Sequence, residues 1–292
     1  MLTVLQTHPI QYQAPVYRHL QQKLNIPITV IYGSDFSVVG YHDAEFDVSF
    51  SWDSNLLSGY DSRFLTTVKN GGADSPQKLA GTGIADALAD IRPTAVLLTG
   101  YGFPFHRAAF RQAKRCGYPL LLRGETTDAD QSRGGIKKII RDAVLRWYYS
   151  QFTALLPIGV NSNAHYDRLA SANTPRFFSP YCIDTTPFAT SEVDRAHYRG
   201  ATRQRLNLKD DQQVILFSGK LIDKKAPELL LESIKRLPTE ERKKRTILFL
   251  GDGPLRSVLA AMAEAEPTVH VHFLGFQNQS ALSPYYHAAD LL

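Results

Sequence analysis

The chain has 292 residues, 43% of them hydrophobic and 21% charged, an ordinary globular balance with length for two domains rather than one core. No run of about eighteen apolar residues occurs, which excludes a membrane-spanning helix in this sequence, and no basic stretch precedes Leu2, which leads us to expect a cytoplasmic, non-secreted protein. The net charge of +5 suits phosphate-bearing ligands, anionic lipid or nucleic acid without choosing among them.

In chain order, Leu2 to Gln6 is expected as a buried strand, Tyr12 to Leu24 as a helix and Ile28 to Tyr32 as a second strand of β-branched residues. From Gly33 to Gly72 aromatics and turn formers mix without clear period, as in Phe46-Asp-Val-Ser-Phe50 and Tyr60-Asp-Ser-Arg-Phe-Leu65, and predict irregular strands and loops. From Pro76, Leu79, Ile84, Leu88 and Ile91 fit one helix face that Arg92-Pro93 ends, before a strand from Ala95 to Thr99. A helix from His106 to Cys116 closed by Gly117, a strand at Leu120 to Leu122, a basic helix from Ile136 to Tyr149 and a strand at Ala154 to Pro157 follow. Asn161 is expected to cap a helix reaching Ala172.

Periodicity lapses around Pro180 to Pro187, and the charged stretch Glu192 to Arg205 is expected to complete a linker. We therefore divide the chain into residues 1–188 and 189–292. The second part repeats the pattern: strands at Val214 to Phe217, Ile247 to Leu250 and Val269 to Leu274, with helices at Pro227 to Leu237, Pro254 to Ala265 and Ser280 to Ala289. Both of the first two helices carry proline at their first position. Asp290-Leu-Leu292 is expected as the opening of a further buried strand, so the second domain is expected to be incomplete and the chain a fragment. Alternating strands and helices at this spacing predict an α/β fold of parallel sheets covered on both faces, with ligands held beyond the carboxyl ends of the strands.

The strongest site signal is Phe217-Ser-Gly-Lys-Leu-Ile-Asp-Lys-Lys225, a strand running into a glycine turn, two cationic positions five apart and a helix start. Gly219 allows close backbone approach, and Lys220 and Lys225 are placed to neutralise charge on a departing phosphate beside the positive end of a helix. The plainer reading is a solvated loop. Leu250-Gly-Asp-Gly-Pro-Leu255 repeats the strand, glycine turn and helix, and Gly251 and Gly253 can admit a phosphate or sugar to backbone N–H groups; a tight turn without a ligand needs the same glycines.

With Phe273-Leu-Gly275 and Tyr285-Tyr-His-Ala-Ala-Asp290 added, the stretch from Phe217 to Asp290 resembles the donor half of retaining GT-B glycosyltransferases of family 4. Thr7-His-Pro-Ile-Gln-Tyr12, Leu122-Arg-Gly-Glu125 and Ile158-Gly-Val160 extend the resemblance over the front half. It implies two Rossmann-like domains facing a cleft, an acceptor-binding one in 1–188 and a donor-binding one in 189–292, with no metal and no cofactor beyond a UDP- or GDP-sugar as co-substrate. By it, Lys220 takes the place of the family's usual arginine and Lys225 matches its lysine, both toward the donor diphosphate. Gly251 and Gly253 border the donor sugar or phosphate, and Phe276 with Gln277 lie near the nucleobase. The first loop, His8-Pro9-Ile10-Gln11, replaces a glycine-rich one, and Arg123-Gly124-Glu125 stands where many members have a histidine. Glu125 is then expected to hydrogen-bond a sugar hydroxyl or position the acceptor, and Arg123 to hold a phosphate or pair with Glu125. The family's two glutamates seven residues apart fall beyond Leu292, so little or no turnover is expected of this chain alone.

His8 and Gln11, after the first strand, are acceptor candidates or helix-entry caps in equal measure. His106, in Tyr101-Gly-Phe-Pro-Phe-His106, is an acceptor candidate whose plainer reading is a packed histidine. In the helix at 135–149, Lys137, Lys138, Arg141 and Arg146 alternate with Ile136, Ile139, Ile140 and Trp147. A surface helix packed by its isoleucines is the first reading, and peripheral contact with the anionic inner membrane face beside a lipid-linked acceptor the second. Glu240-Glu-Arg-Lys-Lys-Arg245 is a mixed-charge loop and no nucleic-acid module appears. Cys116 and Cys182 match no metal or disulfide spacing, imply a reducing compartment and are expected as small buried hydrophobes. The function expected is transfer of a sugar from a nucleotide-diphosphate donor to a glycan, lipid-linked or small-molecule acceptor, as in polysaccharide biosynthesis. The competing readings are a non-catalytic nucleotide-sugar binding or scaffold protein and a GT-B sugar-nucleotide epimerase or phosphorylase.

Overall fold

The computed structural model describes residues 1–43, 48–128, 135–209 and 211–292, so Phe46 and Asp47 of the irregular stretch lie outside the described residues. The chain separates into two compact units, Met1–Val39 with Asn55–Ile183 and Gly40–Ser54 with Asp184–Leu292. The strands are β1 (Leu2–Gln6), β2 (Ile28–Tyr32), β3 (Tyr41–Asp43), β4 (Val48–Phe50), β5 (Asp61–Phe64), β6 (Ala95–Leu98), β7 (Leu120–Gly124), β8 (Ala154–Pro157), β9 (Gln213–Ser218), β10 (Arg245–Leu250) and β11 (His270–Gly275).

In the first unit six strands form one parallel sheet in the order β5-β2-β1-β6-β7-β8. β1 pairs in register with β2 on one side and β6 on the other, Leu2 standing opposite both Ile28 and Ala95. Val4, Leu5, Val30, Ile31, Val96 and Leu98 are buried without alternation, as expected of strands covered on both faces. Taken in chain order the sheet runs 3-2-1-4-5-6, the order of a dinucleotide-binding fold, and it reverses direction between β1 and β6.

Several expected boundaries move. Pro76–Lys78 is a 3-10 turn and the helix covers only Ile84–Ile91, because Gly81 and Gly83 both adopt positive φ between them. Leu79 therefore precedes the helix, though it is buried. The helix at Val160–Leu169 is capped by Ser162, whose hydroxyl accepts the Gly159 amide at 2.9 Å, and not by Asn161. Cys116 and Cys182 are free thiols and both exposed, against the expectation of burial. Cys116 ends the helix Pro104–Arg115 and Cys182 lies in the extended segment before the second unit, neither on a core face.

In the second unit β9, β10 and β11 form a parallel sheet in the order β11-β10-β9. Successive residues face opposite sides: Ile215, Ile247 and Phe249 pack with Leu231, Ile234 and Leu259, while Val214, Leu216, Leu248 and Leu250 pack with Tyr285. Leu291 bridges in parallel to Ile215 along the other side of β9, its carbonyl accepting the Leu216 amide at 2.9 Å. Leu291 and Leu292 are exposed here rather than buried. The helices begin later than expected, at Glu228, Arg256 and Leu282, which puts Pro227 at a helix cap and Pro254 two residues ahead of its helix.

Glu192–Arg205, expected within the linker, is a 14-residue helix of this unit. Its Ser191 cap accepts the Asp194 amide at 3.1 Å. Its anchor is ionic rather than apolar: Asp290 receives Arg199 at 2.6 Å, Arg203 at 2.7 Å and the Val214 amide at 2.7 Å. Burial alone would raise the Asp290 pKa, but the Val214 amide and the two guanidiniums outweigh it and hold the carboxyl below its ordinary range.

The segment Gly40–Ser54, which interrupts the first unit in sequence, belongs to the second. β3 and β4 pair antiparallel within it. Beyond β4, the Asn278 side chain donates to the Ser51 carbonyl at 2.6 Å and the Ser280 amide donates to the Asp53 carboxylate at 3.1 Å.

Candidate functional sites

In the first unit the loops after β1 and β6 flank the point where strand order reverses, the place where open α/β sheets bind ligands. His8 follows β1. Its Nδ1 lies 2.9 Å from the Thr7 hydroxyl and its ring centroid 4.6 Å from that of Phe36. His106 sits in the first turn of Pro104–Arg115, with Nδ1 facing the Phe103 amide at 3.5 Å and its ring packed over Gly100. Burial, with His106 as a like-charged neighbour, lowers the His8 pKa to about 4; burial, with Arg107 nearby, lowers that of His106 to about 4. Both rings are therefore neutral at neutral pH, able to donate through one nitrogen and accept through the other. Gln11 is partly buried in the turn before the helix Ala14–Gln22.

At the carboxyl end of β7, the Arg123 guanidinium is bonded to the segment at Ser179 and Pro180 rather than to Glu125. It donates to the Ser179 hydroxyl at 3.0 Å and to the carbonyls of Ser179 and Pro180 at 3.2 and 3.0 Å. Glu125 instead accepts the Tyr181 hydroxyl at 2.6 Å. The Tyr181 ring stands edge-on to Tyr12 at 4.8 Å, with the Arg123 guanidinium 5.0 Å from its centroid. Burial and the bond to Glu125 raise the Tyr181 pKa, so its hydroxyl stays a donor. Tyr12 and Tyr181 escaped sequence reasoning: Tyr181 lies 56 residues from Glu125, within the segment where periodicity lapses. The one available signal was the tyrosine at the end of the first loop motif.

In the second unit the glycine loops after β9 and β10 are hydrogen-bonded to one another. The Gly219 amide donates to the Leu250 carbonyl at 2.9 Å, the Leu221 amide to Asp252 at 2.9 Å and the Leu255 amide back to Leu221 at 3.0 Å. A Cβ on Gly251 would stand 2.0 Å from the Gly219 carbonyl oxygen, and one on Gly253 2.6 Å from that of Leu221. Close packing of two backbones thus requires both glycines before any ligand is considered. Around Gly219 a Cβ would meet nothing nearer than the Phe217 ring at 3.8 Å. Lys220 is partly buried in this loop, and Lys225 is exposed at the end of a 3-10 turn, followed by Ala226 at φ +45°. Asp252 is engaged by Arg256 at 2.7 Å.

With β10 on one side of β9 and Leu291 on the other, the Gly219–Lys220 loop also follows a strand at which the order reverses. Phe276 and Gln277 follow β11. The Phe276 ring lies 6.5 Å from that of Trp52, and the Gln277 side chain donates to the Leu274 carbonyl at 2.9 Å. Trp52, brought here by the 40–54 segment, is a second aromatic that no local sequence pattern announces.

Residues 199–292 match the family described as Glycosyl transferases group 1. An uncharacterized glycosyltransferase of Methanocaldococcus jannaschii is 31% identical over 91 residues, 31% of this chain and 23% of that protein's length. Among solved structures, Anabaena HepE in complex with UDP has a TM-score of 0.67 at 12% identity over 99% of this chain and 72% of its own. WaaG, a glycosyltransferase involved in lipopolysaccharide biosynthesis, has a TM-score of 0.63 at 14% identity, covering 100% of this chain and 74% of its own. A putative UDP-N-acetylglucosamine 2-epimerase of Listeria monocytogenes has a TM-score of 0.53 at 12% identity over 98% and 71%. These likenesses define the fold as α/β of the GT-B type, with two Rossmann-like units.

Proposed function

We propose that the chain takes part in transfer of a sugar from a nucleoside diphosphate donor to an acceptor hydroxyl with retention of configuration. Its second unit would hold the donor and its first unit the acceptor. The observation that carries the reading is the loop Gly219–Lys225, open beside Gly219, set after a strand where sheet order reverses, and lying in the segment that matches Glycosyl transferases group 1. A diphosphate would be met there by the charges of Lys220 and Lys225, beside the positive end of Arg256–Glu264, whose Leu255 and Arg256 amides are already given to the Leu221 and Gly253 carbonyls. Phe276, with Trp52 beside it, offers a face to the nucleobase, and Gln277 a polar edge.

In this scheme the acceptor oxygen bonds to the anomeric carbon as the bond from that carbon to the diphosphate oxygen breaks. The departing diphosphate takes the acceptor's proton. Orientation and positive charge carry the reaction, so no strong carboxylate base is needed. Glu125, held by Tyr181, would accept from an acceptor hydroxyl, while neutral His8 and His106 supply bonds that favour an uncharged sugar. Arg123 would act through the carbonyls it grips rather than on a phosphate. The relatives that bind UDP or are named epimerases share the fold at low identity, and the anion-binding character of the Gly219–Lys225 loop is common to both chemistries. Calorimetric titration with UDP- and GDP-sugars tests the reading. Saturable binding that weakens when Lys225 becomes Ala supports it, whereas undiminished binding in that variant removes the loop from the donor site.

A further inference from the structure

The helix Ile136–Tyr149 has two apolar faces. Asp142, Leu145 and Tyr149 are buried, and two bonded contacts fix that face inward: Asp142 is paired with Arg168, and the Tyr149 hydroxyl lies 3.0 Å from His165 Nε2. Ile136, Ile139, Ile140, Val144 and Trp147 point the other way and remain 75%, 68%, 59%, 56% and 55% exposed. The isoleucines therefore do not pack the helix onto the sheet, contrary to the first sequence reading. At about 100° per residue these five, with exposed Ala143 among them, fill one arc of about 140°, and Lys137 and Arg146 fall on its two flanks.

Five large aliphatic and aromatic side chains on one turn-after-turn line exceed the scattered exposed hydrophobics of an ordinary surface. The net charge of this helix and its neighbour is strongly positive. The helix Pro104–Arg115 touches this one through Phe110, whose centroid lies 6.1 Å from that of Trp147, and Lys114 Nζ stands 5.6 Å from the Trp147 ring. Together the two helices hold Arg107, Arg111, Lys114, Arg115, Lys137, Lys138, Arg141 and Arg146 against a single carboxylate, Asp142, which Arg168 and Arg141 neutralise. Their surplus of seven exceeds the +5 of the whole chain.

We propose that Ile136–Tyr149 docks onto an anionic lipid bilayer, with its isoleucines, Val144 and Trp147 in the acyl–headgroup boundary and Lys137 and Arg146 on lipid phosphates. A basic helix with a continuous apolar stripe and an indole lies in such an interface plane. A second copy of the same face would bring like charges together, and a nucleic acid would need the cations, not the aliphatics, at the centre of the patch. The proposal stands apart from the donor reading, since it is tested with no nucleotide-sugar present.

The test is cosedimentation with vesicles of phosphatidylcholine alone and of phosphatidylcholine with phosphatidylglycerol. Trp147 emission is followed in a Trp52→Phe background that leaves one indole. Binding selective for the anionic vesicles is expected, with a blue-shifted, quencher-protected Trp147. A drop of about tenfold or more is expected in each of two double variants, Ile139→Ser with Ile140→Ser, and Lys137→Glu with Arg146→Glu. Circular dichroism confirms that the variants are folded. The proposal is overturned by a folded wild type that ignores anionic vesicles, by binding that both double variants retain, or by an unshifted Trp147. It is equally overturned if the aliphatic variant instead abolishes self-association in sedimentation velocity, or if the charge variant alone responds and an oligonucleotide competes.

Discussion

The loops at the two points of strand reversal are built differently. In the first unit the loops after β1 and β6 are lined by side chains whose burial decides their chemistry: two imidazoles held neutral, and at the end of β7 a carboxylate held by a tyrosine hydroxyl. In the second, the loops after β9 and β10 are backbone laid against backbone, with glycine where any Cβ would collide and lysines around the rim. Neutral donors and acceptors suit a hydroxylated ligand, and amides with fixed positive charge suit a diphosphate. The contrast teaches that one architecture is tuned either by burial or by backbone approach, and the two respond to different perturbations.

The sharpest way to break the contrast is Gly251→Ala. Its Cβ would meet a carbonyl oxygen at 2.0 Å at φ +143°, so a loss of about 4 kcal/mol or more is expected, read as faster amide exchange in β9 and β10. Gly102, where nothing lies within 4 Å, should accept alanine within about 0.5 kcal/mol. Equal tolerance at both sites would show that the glycine loops are not packed as described.

Acid should act on the first unit. An imidazole whose folded pKa is depressed contributes full stability above its unfolded value of about 6.5 and loses it as pH falls toward about 4, because the unfolded chain takes the proton first. Between about pH 7 and pH 5, above the carboxylate range, buried His106 should cost about 2 kcal/mol, and His8, lowered to the same value, a similar amount. Urea titrations of His106→Gln should show a flatter pH slope than the wild type over that interval. An unchanged slope would mean the ring is not held neutral by burial.

A smaller effect is expected from Lys225→Ala, which leaves the melting temperature unchanged because the side chain is exposed, and weakens nucleoside diphosphate affinity about tenfold. Glu125→Gln, on the other unit, should leave that affinity within about twofold. Were Glu125→Gln to weaken the donor as much as Lys225→Ala, the assignment of ligands to units would fail.

The parallel strands were legible because buried strands read as unbroken apolar runs, as β1, β2, β6 and β10 do. β5 was not: Asp-Ser-Arg-Phe is half exposed at a sheet edge, and its place beside β2 is set by pairing rather than by pattern. The helix Glu192–Arg205 hid for a related reason, since its anchor is the Arg199 and Arg203 grip on Asp290, about ninety residues away, and no apolar stripe marks it. The glycines after β10 stood out in the sequence, but the loop after β9 that imposes them lies about thirty residues earlier and leaves no local mark. Ile136, Ile139 and Ile140 carried a helical period correctly while saying nothing of which face the core would take; Asp142, Leu145 and Tyr149 decide that through partners on another helix.

The membership of residues 40–54 in the second unit bears on synthesis. Ser51 and Asp53 leave the ribosome 227 residues ahead of Asn278 and Ser280, the groups that hold them. At about 5–20 residues per second that is a delay of roughly ten to forty-five seconds, during which the first sheet can close around a segment that has nowhere to dock. A nascent chain of this protein therefore carries an unfinished excursion while the next 227 residues are made, and an early segment is completed by a much later one.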